Sequence, residues 1–162
     1  MKILGIDPGM AIVGYSILDF DGKKIKLEHS GSIQTEKESQ ESARLLELYN
    51  DLKIILDKYR PDVCAIEKLF FFRNSKTVMP VAHARGVILL ALEEFKIPIY
   101  EYTPIEVKQI LTGYGRADKK EVERMVKISL NTDNLPKLDD TVDSIAIAIC
   151  YTRNEGILGK VK

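Results

Sequence analysis

Two runs in this sequence, Ile3-Leu4-Gly5-Ile6 and Val63-Cys64-Ala65-Ile66, carry no polar residue, and each stops on a carboxylate, Asp7 and Glu67. A short run without polar alternation reads as a strand buried on both faces, the kind found inside a parallel sheet with helices above and below. Two such strands side by side bring the residues at their carboxyl ends to one rim of the sheet. The rest of the chain fits that frame. Asp7-Pro8-Gly9 breaks the first strand, a second strand is expected over 13–20, Asp21-Gly22 reads as a two-residue type I′ hairpin turn, and a third strand follows over 24–34. Apolar residues at helical spacing run from 39 to 59 and stop at Arg60-Pro61, and the buried strand occupies 62–67. Then come a helix over 79–95 with Pro80 in its first turn, a strand over 97–102, and a short helix opened by Thr103 as N-cap with Glu106 behind it. Helices over 119–130 and 140–153 complete the order. Three strands in a meander, then alternating helix and strand, make an α/β layered domain with a five-stranded mixed sheet flanked by helices. Its 162 residues suit one such domain, expected over 1–155, with a loose, flexible tail over 156–162.

Composition sets the class but not the chemistry. With 45% hydrophobic and 30% charged residues the chain is expected to be globular rather than disordered. Cys64 and Cys150 sit in apolar runs with no CxxC or His partner at ligand spacing, which reads as buried, reduced thiols. The apolar stretch at the N-terminus is too short for a secretory signal, and the longest one, 86–92, is far short of a membrane span, so a cytoplasmic protein with no membrane contact is expected. Lys plus Arg is 24 and Asp plus Glu is 24, a formal net charge of zero that by itself weighs against a nucleic-acid partner.

The acidic residues change that reading. Asp7 before Pro-Gly is equally a turn-initiating residue. Glu67 is harder to place structurally, because a charged residue closing a buried strand is disfavoured unless it points into a site. The third acidic place is Asp139-Asp140-Thr141-Val142-Asp143 at the start of the last helix. One Asp there caps the helix and suits its dipole. Three within five residues repel one another, and Asp140 and Asp143 share one helical face. Behind them the helix is apolar on most sides, with Ala146 and Ala148 small enough for close approach to a sheet. A cation belongs among Asp7, Glu67, Asp140 and Asp143, and oxygen ligands without His or Cys select Mg²⁺ or Mn²⁺ over zinc. Two such ions about 4 Å apart suit phosphodiester hydrolysis.

Basic and aromatic residues supply the other half. The loop after Glu67 holds Phe70, Phe71 and Phe72 beside Lys68, Arg73, Asn74, Ser75 and Lys76, a mixture that reads as base stacking with phosphate contact more readily than as core. Arg116, Lys119 and Lys120 surround a helix N-terminus, where positive charge opposes the dipole and suggests an anionic partner. His29 and His83 read as structural.

Taken together these residues resemble the RuvC-type Holliday-junction resolvases. The resemblance is carried by Ile3-Leu4-Gly5-Ile6-Asp7-Pro8-Gly9 with Gly14-Tyr15, Ala65-Ile66-Glu67-Lys68-Leu69-Phe70, Ala84-Arg85-Gly86-Val87, Val107-Lys108-Gln109, and Asp140-Thr141-Val142-Asp143-Ser144-Ile145-Ala146-Ile147-Ala148-Ile149. It implies a ribonuclease-H-like fold and a homodimeric endonuclease that binds four-way DNA junctions and nicks two like-polarity strands symmetrically, in recombination and repair. It further implies Asp7, Glu67, Asp140 and Asp143 as catalytic ligands of Mg²⁺ or Mn²⁺, two ions to a site. Phe70 takes the stacking position, and Lys108 and Lys119 approach the scissile backbone. Arg73, Lys76, Arg116 and Lys120 are added from their basic surroundings as DNA contacts. The helix holding 84–92 resembles the one that pairs subunits, and a branch-migration motor of the RuvA and RuvB type is the implied partner. The chain departs from the family where Met10-Ala11-Ile12 replaces a small polar and a basic residue.

The residues alone leave two other readings open: a nuclease of the same fold acting on another branched or RNA-containing substrate, and an actin-like nucleotide-binding or regulatory domain, which lacks room for its second lobe. The zero net charge is compatible with the resolvase reading. Neutralising four of the 24 acidic charges leaves 20 against 24 basic ones, a formal +4, and 68–90 carries Lys68, Arg73, Lys76 and Arg85 with no acid.

Overall fold

The computed structural model describes residues 1–68 and 78–158, the side chains of 155–158 excepted. Five strands, β1 (Lys2–Asp7), β2 (Ile12–Phe20), β3 (Ile25–Gln34), β4 (Val63–Glu67) and β5 (Ile99–Tyr102), form one sheet in the order β3-β2-β1-β4-β5. β2 runs antiparallel to both β1 and β3, while β4 is parallel to β1 and to β5. The sheet is therefore mixed, as expected, and the two uninterrupted apolar runs are its central neighbours.

Among the described residues, five helices cover the two faces: α1 (Glu41–Tyr59), α2 (Val78–Glu94), α3 (Pro104–Thr112), α4 (Lys119–Leu130) and α5 (Asp139–Leu158). Alternation along the strands divides the core. Leu4, Ile6, Ile17, Cys64 and Ile66 pack with Leu48, Leu52, Ile88 and Leu92 of α1 and α2. Ile3, Leu18, Val63 and Ala65 pack with Ile145, Ile149 and Cys150 of α5, and with α3 and α4. Helix ends follow their local chemistry. Thr103 caps α3 and Asp118 caps α4, each in a reciprocal box with the Glu three residues on, and Arg60 ends α1 in the left-handed region just before Pro61.

Two local expectations are corrected. The β2–β3 connection is a four-residue loop, Asp21 to Lys24, with Phe20 paired to Ile25 and only Gly22 at positive φ. The Asp21 carboxylate accepts from the amides of Lys23 and Lys24 at 2.8 and 2.7 Å, and that side-chain bonding displaces the two-residue turn. The last helix also starts one residue earlier than expected and continues to Leu158, into the stretch read as tail. Both cysteines are free and buried, and burial pushes the Cys64 and Cys150 thiols up.

Candidate nuclease site

Asp7 and Glu67 end the neighbouring parallel strands β1 and β4, in which Ile6 pairs with Ile66. Ile3 and Gly5 on β1, and Val63 and Ala65 on β4, face α5, so the next residue of that alternation, Asp7 or Glu67, is directed to the α5 side of the rim. What lets α5 arrive there is missing volume. A Cβ on Gly5 would lie 2.1 Å from the Ser144 carbonyl oxygen and 2.8 Å from the Ala148 Cβ, and one on Gly14 would lie 1.9 Å from the Asp140 carbonyl oxygen. The first turn of α5 thus rests on β1 and β2 at two glycines, which delivers Asp140 and Asp143 to the same rim. Ala148 performs the close approach expected of it, while Ala146 lines the adjoining cleft.

The electrostatics show Asp7 raised by the charges of the other three carboxylates. Asp7 is pushed up to about 8, by burial first and then by Glu67, Asp143 and Asp140. Glu67 rises to about 7, again by burial first and then by Asp143. Asp143 is raised chiefly by burial, with Lys119 pulling it back. All four side chains are partly buried. Among the described residues, no three acidic, His or Cys side chains stand close enough to form a ready-made ion site. The donor set, carboxylate oxygens only, suits a hard divalent cation.

Beside the carboxylates lies a cleft of about 250 Å³ lined by Glu67, Pro104, Val107, Lys108, Lys119, Val122, Asp143, Ala146 and Ile147. Its floor is apolar, its rim carries two carboxylates and two ammonium groups, and it opens between α3, α4 and α5.

A family model described as crossover junction endodeoxyribonuclease RuvC matches residues 3–151. The chain belongs to the RuvC family. It is 49% identical over 150 residues to the RuvC of Thermosipho melanesiensis, covering 93% of this chain and 96% of that protein. It is 50% identical over 151 residues to the RuvC of Halothermothrix orenii, covering 93% and 92%. Among solved structures it is similar to Thermus thermophilus RuvC in complex with a Holliday junction substrate, with TM-score 0.91 and 31% identity over 98% of this chain and 96% of that one. The five-stranded mixed sheet with its helices is the ribonuclease-H-like fold of those resolvases.

Measured against the RuvC resemblance, the structure brings Lys108 and Lys119 into the cleft with Glu67 and Asp143. Arg116 and Lys120 are exposed and do not line it. Phe70, Arg73 and Lys76 lie outside the described residues. The dipole argument for Lys119 weakens, because the Asp118–Glu121 box already supplies negative charge at the start of α4 and Lys119 pairs with Asp139 at 2.8 Å. Arg85 is corrected too: its guanidinium is tied to Glu101 of β5 and is largely buried, so it is not part of an open basic face. The unusual Met10-Ala11-Ile12 loop is fixed internally, with the Met10 carbonyl accepting from Thr35 at 2.8 Å and from Arg44 at 3.2 Å. Both histidines make structural contacts, His83 with Glu41 at 2.5 Å and His29 stacked on Tyr59.

Proposed function

We propose that Asp7, Glu67, Asp140 and Asp143 are the catalytic carboxylates with which this chain, as a crossover junction endodeoxyribonuclease, nicks two strands of a four-way DNA junction. The observation that carries this reading is the convergence of carboxylates from β1, β4 and α5 on one rim, close enough to raise one another's proton affinity. Groups this reluctant to ionise together call for positive charge between them. Held there by the four carboxylates, two Mg²⁺ or Mn²⁺ ions would offset the charge of the scissile phosphate and activate the attacking water. Burial and neighbouring carboxylates raise the proton affinity of Asp7 and Glu67, and bound cations would offset that effect. Lys108 and Lys119, at the cleft rim, bind the DNA backbone alongside the scissile phosphate. Val107, Val122, Ala146 and Ile147 form an apolar wall behind it, and low polarity there strengthens the charge interactions at the rim. Phe70 stacks on a base at the crossover, and Arg73, Lys76, Arg116 and Lys120 are further DNA contacts.

The same reading includes a homodimer in the cytoplasm, working with a branch-migration motor of the RuvA and RuvB type. Support for pairing comes from the α1–α2 face, where Leu46, Ile54, Met79 and Leu90 are 60–65% exposed. Large apolar side chains this exposed on two helices that pack together favour a protein partner.

The deciding experiment compares a four-way junction, a duplex and an RNA–DNA hybrid, each with Mg²⁺ or with EDTA. Paired nicking of the junction alone, lost in EDTA and in Glu67→Gln with junction binding retained, is the expected result. Equal digestion of the hybrid would overturn the substrate assignment, and parental nicking by Glu67→Gln would overturn the site.

A further inference from the structure

Lys119 stands within electrostatic reach of Asp7 and Asp143, yet the carboxylate it bonds is neither of them. Its Nζ lies 2.8 Å from Oδ2 of Asp139. Asp139 is the first residue of α5 and sits outside the set of four. Its side chain is 72% exposed and Lys119's is 48% exposed, so neither is committed to the core. The start of α5 does not employ Asp139 as a cap, since the amide of Val142 bonds the Leu138 carbonyl instead. The pairing is long-range, joining the first residues of two helices 20 positions apart, and it fixes where one end of a long, flexible lysine rests.

We propose that Asp139 is a positioning residue for Lys119 and a placeholder for substrate phosphate: its carboxylate holds the ammonium at the cleft mouth until the DNA backbone takes its place. The inference rests on the reading that Lys119 contacts DNA. A carboxylate and a phosphodiester offer an ammonium the same partner, an anionic oxygen acceptor. Holding Lys119 against Asp139 keeps it extended over the cleft and prevents it from collapsing onto Asp143, where it would neutralise a carboxylate that the cation site needs. The hold is also easy to release. An exposed ion pair shifts an equilibrium by at most about fivefold, so the phosphate displaces Asp139 at small cost, and that cost is subtracted from junction affinity.

The test is equilibrium binding of a fluorescent four-way junction to the full chain in EDTA, across a range of salt concentrations. Four variants join the parent: Asp139→Asn, Asp139→Glu, Lys119→Ala and the Asp139→Asn/Lys119→Ala double. Asp139→Asn is expected to bind about threefold tighter at low salt, with the gain fading as salt screens the pair. Asp139→Glu should keep parental affinity. Lys119→Ala should weaken binding and lower the slope of log K against log salt by about 0.9. In the Lys119→Ala background the Asp139→Asn gain should vanish. If it persists there, the effect is general removal of negative charge and the placeholder role is overturned. No gain in Asp139→Asn, or an equal gain in Asp139→Glu, overturns it as well. If Lys119→Ala binds like the parent, the DNA-contact reading of Lys119 falls, and the placeholder with it.

Discussion

Asp7→Asn should make the cation-free chain more stable, and the size of the gain should depend on pH. Asp7 stands at about 8 in the folded chain against an ordinary 3.8. The folded state therefore binds a proton more tightly than the unfolded one. Stability is greatest below 3.8, falls as pH rises through the window, and levels off above about 8, where Asp7 is ionised in both states. A rise of about four pH units at about 1.4 kcal/mol each gives an upper bound of about 6 kcal/mol above pH 8. Part of the rise comes from the neighbouring charges of Glu67, Asp143 and Asp140 rather than from burial, and Asp7 keeps some contact with water. About 2–3 kcal/mol is therefore the expected gain at pH 8. For a chain of this length that corresponds to a melting temperature about 5–10 °C higher. The assay is thermal or urea unfolding of parent and variant in EDTA from pH 4 to 8.5. The gap should be small at pH 4 and widen with pH, and adding Mg²⁺ should stabilise the parent far more than the variant. A variant no more stable than the parent at pH 8, or a gap that widens toward acid, would refute the argument that Asp7 is held among like charges at a half-buried rim.

Two other perturbations address how the site is built and how the chain assembles. Gly14→Ala places a Cβ 1.9 Å from the Asp140 carbonyl oxygen, so α5 must lift from the sheet. A loss of about 1–3 kcal/mol by urea unfolding, together with loss of junction nicking, is expected. Leu90→Glu puts a charge on the 63%-exposed apolar side chain of α2 and should shift the chain toward monomer in sedimentation analysis with its melting temperature nearly unchanged. An unchanged sedimentation profile would remove this face from the dimer.

The parts of the site legible in the sequence are those whose signal is local. An apolar run closed by a carboxylate announces both the strand and the oddity at its end, and this located Asp7 and Glu67. The Asp140 and Asp143 pair was visible because a helix start needs one acid and this one has more. What the sequence did not disclose depends on partners distant along the chain. Asp139 looked like one more member of an acidic group, and only the approach of α4 to α5 shows that it is spent on Lys119, 20 residues earlier. Arg85 looked like an open cation, yet β5 brings Glu101 against it. The β2–β3 turn failed for a different reason. Asp-Gly favours a tight turn through its backbone, but the Asp21 carboxylate found two amides to bond, and side-chain bonding decided the loop. Gly5 and Gly14 were read as parts of a strand and a motif. Their use as the seat of a helix appears only once α5 is laid across the sheet.

That seat explains why repulsion at the rim appears as proton affinity rather than as movement. Four carboxylates brought together can relieve one another by separating or by taking up protons. Separation would mean lifting the start of α5, and α5 is held along its length. Ile145, Ala146, Ile147, Ala148, Ile149 and Cys150 are each at most 1% exposed, packed against Ile3, Leu18 and Val63. Farther along, Arg153 donates to the carbonyls of Ile110 and Leu111 at 3.0 and 2.8 Å and to the Ser129 hydroxyl at 2.8 Å, fastening the helix to α3 and α4. Thr141 adds a hydrogen bond to the Gly31 carbonyl at the other end. With motion blocked by a close-packed core, the remaining response is protonation of Asp7 and Glu67, or occupation of the site by cations. A backbone fixed in this way limits the adjustment at the rim to the carboxylate side chains themselves, so drawing them together on a cation does not require the fold to rearrange.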